Sequence, residues 1–147
     1  MDDIEALKAQ YLNHQFDEKE FEVVADKVAA FAATCGETNP KYTDPAHPDF
    51  QAAPTFASSM VAGRNLPEGF PLFGGIALDG GKTVVPHKPI RPGAPVVGRS
   101  HVADIYTKTG RSGRMIFIVS RQEFSDHEGD LLATADTNLI IREKITE

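Results

Sequence analysis

Between Gly36 and Asp49 the chain gathers side chains that could move a proton: Glu37, Tyr42, Asp44, His47 and Asp49, interrupted by Asn39, Pro40, Pro45 and Pro48. General acid–base catalysis uses carboxylates, imidazoles and, less often, phenols held within reach of one proton. His47 lies between two carboxylates in Asp44-Pro45-Ala46-His47-Pro48-Asp49, which makes it a catalytic candidate. A loop histidine framed by prolines is, however, more often a surface residue. Asp44, His47 and Asp49 make a poor metal site, because no further ligand cluster accompanies them. Cys35 is the single cysteine, so the chain has neither an internal disulfide nor a metal-binding cysteine pair. No metal is expected.

The elements around this segment are readable. Val28, Phe31, Ala32 and Cys35 recur at helical spacing. Asp26 is the expected N-cap, Gly36 the stop, and Asn39-Pro40 a turn. Upstream, residues 3–15 suggest a helix with Ile4, Leu7 and Tyr11 on one face, followed by a short strand over Glu20–Val24. Residues 41–54 read as loop, broken by Pro45, Pro48 and Pro54. Residues 55–64 are small and apolar, but Ser58, Ser59 and Gly63 are poor helix formers. Residues 65–75 should be irregular. Strands are expected over Lys82–Pro86, Val96–Lys108, Arg114–Phe124 and Leu131–Arg142, with turns at 89–93, around Gly110 and Gly113, and at 126–129. An early helical section followed by antiparallel strands indicates an α+β fold. Met115-Ile116-Phe117-Ile118-Val119 is apolar without alternation. That pattern suggests a strand covered on both faces, and hence an assembly larger than one chain.

Gly36, Asn39 and Pro40 match a motif of the MaoC-like, (R)-specific enoyl-thioester hydratases, Asp-x-Asn-Pro-x-His after a short helix ending in glycine. The family's aspartate falls on Glu37 and its histidine on Tyr42. Two further signatures follow in order: Lys88-Pro89-Ile90-Arg91-Pro92-Gly93, and Gly129-Asp130-Leu131 leading to a last strand ending at Arg142. Over roughly residues 17–142 the chain resembles the dehydratase N-terminal domain branch of that family, where the aspartate and histidine are often missing.

The resemblance implies a single hot-dog domain over 1–147, with residues 1–16 as an N-terminal helical extension. About five antiparallel strands would wrap around a central helix at 55–64. It implies an enoyl-thioester hydratase or 3-hydroxyacyl-thioester dehydratase subunit with no cofactor, acting on acyl-CoA or acyl-carrier-protein thioesters in fatty acid metabolism. Family members hold one water between the aspartate and histidine, and a backbone N–H at the start of the central helix polarises the thioester carbonyl. On that template Glu37, Tyr42 and His47 are the catalytic candidates, and Asn39, Thr55 and Phe56 the substrate-binding ones. Thr55 reads equally well as a simple helix cap. An ordinary phenol ionises near pH ~10, so Tyr42 is a poor replacement for a histidine base. The expected role is therefore a non-catalytic partner that shapes the acyl tunnel, in a homodimer or a heterodimer with a catalytic hot-dog subunit. The rivals are a self-sufficient hydratase using Glu37 and an acyl-thioester binding module without turnover. A hot-dog thioesterase would need a carboxylate at the central helix, and residues 55–64 contain none.

Elsewhere, His87 and His101 fall in expected strands and read as structural histidines, and Arg91 as the stiffener of its turn. Gly74-Gly75 and Gly80-Gly81 lack the strand–glycine–helix context of a phosphate loop. A net charge of −6 argues against nucleic acid as a partner. No run approaches the ~20 apolar residues of a membrane span. The acidic start Met1-Asp2-Asp3 has no signal-peptide character, and a cytoplasmic location is expected.

Overall fold

The computed structural model describes residues 3–144. Helix α1 (Asp3–Tyr11) leads into strand β1 (Gln15–Phe21), then helix α2 (Ala25–Thr34) and a single turn α3 (Pro40–Thr43). Four strands follow: β2 (Ala77–Pro86), β3 (Val96–Gly110), β4 (Gly113–Ser125) and β5 (Leu131–Arg142). All pair antiparallel in one sheet of order β1-β3-β4-β5-β2, so β1 and β2 are its edges.

Alternation assigns one face of the sheet to the interior. Val96, Ser100 and Val102 of β3, Ile116, Ile118, Ser120, Gln122 and Phe124 of β4, and Ala133, Ala135, Thr137, Leu139 and Ile141 of β5 are buried. A bulge between Val102 and Asp104 shifts the β3 pattern by one, so Ile105 also points inward. Two apolar clusters result. Val28, Phe56, Ala57, Met60 and Phe124 belong to one, under α2. Ile4, Leu7, Phe70, Ile105 and Ile118 belong to the other, under α1. Between them runs a buried polar band of Ser100, Ser120, Gln122 and Thr137, none of which has an unsatisfied side-chain atom.

The unalternating run 115–119 splits by face. Ile116 and Ile118 are fully buried, while Met115, Phe117 and Val119 are half-buried on the outer face. There Phe117 stacks on Tyr106 with centroids 4.9 Å apart. Leu78, Ile140, Phe117 and Tyr106 lie in one row across four strands. Arg114 joins the chain ends, pairing with Asp3 at 2.7 Å and Glu143 at 2.9 Å, which holds its guanidinium firmly charged.

Several local expectations are corrected. The first helix ends at Tyr11 rather than 15, β1 runs over Gln15–Phe21 rather than 20–24 and so takes in the end of the expected helical extension, and Tyr42 and Thr43 of the expected loop lie in α3. The stretch 55–64 is not a helix: only Phe56–Ser59 form a 3₁₀ turn, and residues 60–64 follow without regular secondary structure. Two side chains replace the missing helical bonds. Gln122 Oε1 accepts the Ala62 N–H at 2.8 Å, and Asp17 Oδ2 accepts the Arg64 N–H at 3.0 Å. A Cβ on Gly63 would lie 2.8 Å from that Asp17 oxygen and would displace the carboxylate, and the φ of 154° there favours glycine. Asp26 is not the N-cap of α2; Val24 occupies that position without a side-chain cap, and Asp26 lies in the first turn, where its charge favours the helix dipole. Strand β2 begins five residues early at Ala77, and a bulge between Asp79 and Lys82 accommodates the two glycines that broke the strand pattern.

Candidate functional site

Helix α2 ends as its sequence dictates. Gly36 has φ 76°, its N–H donates to Ala33 O at 3.0 Å, and the Glu37 N–H donates to Ala32 O at 2.9 Å. This paired closure sends the chain sharply into the Glu37–Tyr42 segment. Asn39 then caps α3, its Oδ1 accepting the Lys41 N–H at 3.2 Å, and Pro40 supplies the first helical position. Asn39 thus has a local structural task. Lys41 Nζ sits 5.0 Å above the Tyr42 ring.

The candidate residues do not converge on one cavity. Tyr42 lines a pocket of about 210 Å³ with Gln51, Ala52, Ala53 and Pro54 on one side and His87, Lys88, Ile90, Leu132 and Ala133 on the other. Glu37 is half-buried and does not line it. His47 serves its own loop: Nδ1 accepts the Asp49 N–H at 3.0 Å. The flanking carboxylates are engaged elsewhere, Asp44 with the Ala46 N–H at 2.9 Å and Asp49 with Arg91 at 2.6 Å. The guanidinium hydrogen bond holds the Asp49 carboxyl below the usual carboxylate range. Arg91 also donates to Phe50 O at 3.3 Å, so it ties the 89–93 turn to the loop carrying His47.

At the start of the 3₁₀ turn, Thr55 is exposed and its side chain makes no cap. Phe56 is buried edge-on against Phe31, with centroids 5.4 Å apart, and its N–H donates to Ala53 O at 2.9 Å. The backbone donor at position 56 is therefore already used, and the ring is core. Phe56 borders a second, apolar recess with Phe21, Phe31 and Met60.

His87, expected to be a structural histidine, is exposed at the end of β2 and shares the Tyr42 pocket. No spacing rule joins residues 45 positions apart. The only sequence signal was the Lys88–Gly93 turn, which brings the end of β2 back beside the loop. A larger groove of about 540 Å³ lies between the 64–72 connection and β2, walled by Leu66, Phe70, Leu72 and Leu139 and rimmed by Arg64 and Asp79.

The chain is 29% identical to a UPF0336 protein of Streptomyces coelicolor, covering 83% of this chain and 85% of that one. The MaoC-like dehydratase of Rhodospirillum rubrum superposes with a TM-score of 0.66 at 17% identity, over 95% of this chain and 98% of that one. A chain of the ChsH1–ChsH2 complex of Mycobacterium tuberculosis gives 0.67 at 18%, over 99% and 94%. The five-stranded antiparallel sheet with few helices is the hot-dog fold of these structures, as the sequence resemblance implied. Residues 10–135 match the family model described as FAS1-like, dehydratase domain region, and the chain belongs to that family.

Proposed function

We propose that the chain is a subunit of an enoyl-thioester hydratase or 3-hydroxyacyl-thioester dehydratase and works beside a second hot-dog chain that carries the acid–base pair. The observation that carries this reading is that Tyr42 lines a pocket that Glu37 does not line. The phenol lines a pocket that no carboxylate lines, so no water can be held there between a carboxylate and a base. Hydration needs such a base, plus an acid for the α-carbon.

The free edge of the sheet supports a partner. On β2 and just before it, Ile76, Leu78 and Val85 are 65%, 50% and 44% exposed. The strand has hydrogen-bonding groups available on the side away from β5. The similar ChsH1–ChsH2 structure is itself a complex. The apolar 64–72 groove beside this edge provides a wall for an acyl tunnel, with acyl-CoA or acyl-carrier thioesters as substrates and a cytoplasmic setting. No helix among the described residues is long and apolar enough to cross a membrane.

The test is hydration of crotonyl-CoA by the homogeneous chain. Losing one member of an acid–base pair costs about 10²–10⁴-fold, and that deficit is expected here. Adding a partner with an intact Asp-x-Asn-Pro-x-His motif should restore turnover. Robust activity of the isolated chain, abolished by Glu37→Gln, would instead make Glu37 the catalytic base.

A further inference from the structure

We propose that the outer face of the sheet is a self-association surface, on which a second copy of this chain stacks face to face. This surface is separate from the β2 edge and from the pockets described above.

A sheet whose one face packs on the core should carry polar side chains along the other. Here the outer face changes character at one level on several strands. In one half, Arg99 on β3, Arg121 and Glu123 on β4, and Asp136 on β5 give it charge. In the other half, Tyr106, Phe117, Ile140 and Leu78 form an unbroken apolar row across β3, β4, β5 and β2. Tyr106 and Leu78 are exposed, and Phe117 and Ile140 half-buried. Met115 and Val119 widen the row on β4, to either side of Phe117. The unalternating run 115–119 is thus accounted for on its inner side by the core and on its outer side by this patch. Apolar patches of several hundred Å² mark interaction sites.

Two charged residues name the occupant. Lys108 and Asp104 stand two positions to either side of Tyr106 on β3, and both are exposed. Lys108 lies beside Met115 and Asp104 beside Val119, so the two flank the apolar row on opposite sides. A two-fold axis along that row lays it on its own copy and reverses the strands. Lys108 of each copy then comes over Asp104 of the other, and the contact closes at two copies. Stacked sheets tolerate the ~30° offset that their twist imposes. Both charges are held in place beforehand. Lys108 Nζ rests 5.2 Å from the centre of the Phe117 ring, and Asp104 Oδ1 accepts the Ile105 N–H at 2.9 Å. Little side-chain freedom is lost in pairing them. An anionic lipid surface fits less well, because Asp104 and the net charge of −6 oppose it.

Size sets the strength. Four strands about 4.8 Å apart and three residue rows about 7 Å apart outline about 400 Å² on each copy. The two outlines together make about 800 Å², below the roughly 1,200–2,000 Å² of stable complexes. The stack is therefore weak alone, and it doubles whatever unit the β2 edge has already formed.

Sedimentation equilibrium of the full chain tests this. The unit present at about 1 µM, whether monomer or edge-paired, should double in mass as the concentration approaches about 1 mM. Lys108→Glu should weaken the doubling at least about tenfold, because two attractive contacts become repulsive, and Asp104→Lys should do the same. Mixed in equal amounts, these two variants should recover wild-type doubling, since each contact again joins opposite charges. Tyr106→Lys puts a cation within the apolar row and should also prevent stacking. Together with Lys108→Glu it carries the test if Asp104→Lys does not fold. Glu123→Gln, on the same face in the charged half, should change nothing. Circular dichroism of each variant confirms folding.

A wild-type chain that does not double by about 1 mM overturns the proposal. So does doubling that the folded Lys108→Glu variant leaves untouched, or a mixture of folded variants that associates no better than either alone. Tyr106→Lys that blocks a catalytic hot-dog partner while copies of this chain still stack would give the face to that partner, and overturns it too.

Discussion

The buried side chain of Gln122 accepts the backbone N–H of Ala62 at 2.8 Å, across 60 residues of sequence. This bond tethers the irregular strap of residues 60–64 to β4 where a helix was expected, and it is made from inside the polar band. Replacing Gln122 with Leu would fill the site but strand a buried N–H, at a cost of about 1–3 kcal/mol. The expected result is a Tm lowered by several degrees, read by calorimetry. A Tm equal to wild type would mean that the strap does not depend on this tether.

The second tether makes an independent prediction. Gly63 has φ 154°, and a Cβ there would meet the Asp17 carboxylate. Gly63→Ala therefore imposes both backbone strain and a contact that pushes Asp17 off the Arg64 N–H. Backbone held in such a region by a residue other than glycine typically costs about 1–3 kcal/mol. Urea unfolding should show a lower midpoint at unchanged slope, whereas Gly129→Ala, in a turn with nothing near its Cβ, should cost only the strain of its own φ of 86°.

These two bonds also show where sequence reading stops. The Gly36 closure, the hairpin at Gly110 and Gly113, the 126–129 turn and the full span of β5 were legible, because each depends on residues a few positions apart. The strap was not. Ser58, Ser59 and Gly63 weakened the case for a helix, but the groups that satisfy its backbone sit on β1 and β4. The same limit applied to the site. The motif marked a turn at Asn39 and Pro40, but Tyr42, read as part of a loop, lies in the short helix α3, and the approach of His87 depends on how β2 pairs with β5.

Acid should loosen the loop that carries His47. The Asp49 carboxyl, held below its usual range by Arg91, favours the folded arrangement at any pH above its unfolded value. That contribution fades only as pH falls through the lowered folded value, below about pH 4. The protection factors of the amides of residues 44–51, with the intrinsic pH dependence of exchange divided out, should therefore be steady from neutrality to pH 5 and fall under stronger acid. Asp49→Asn should remove this dependence, with exchange already faster at neutral pH. Protection that stays unchanged under acid in the wild type would show that the Asp49–Arg91 pair does not hold this loop.

The free edge predicts association. If β2 pairs with another chain, Leu78 and Val85, exposed in the isolated chain, become covered. The chain at micromolar concentration should sediment as a dimer or combine with its partner. Leu78→Lys together with Val85→Lys should shift it toward monomer without changing its unfolding midpoint at low concentration, because neither residue contributes to the described core. A wild-type chain that remains monomeric alone and with candidate partners would refute this use of the edge.

Restoring the family's histidine should not restore chemistry. Tyr42→His would place an imidazole in the 210 Å³ pocket, but no carboxylate lines that pocket to share a water with it. Adding Glu37→Asp shortens by one methylene a carboxylate that already does not reach this lining, while catalytic geometry tolerates only about 0.5 Å of displacement. The folded double variant should therefore remain at least ~10²-fold below a partnered enzyme in crotonyl-CoA hydration, the scale of a missing acid–base partner. The measurement is loss of enoyl absorbance under single-turnover conditions, with the wild-type chain as baseline. A large gain from the double variant would mean that the 36–43 segment can carry a working pair, and that only the identities of residues 37 and 42 keep the isolated chain inactive.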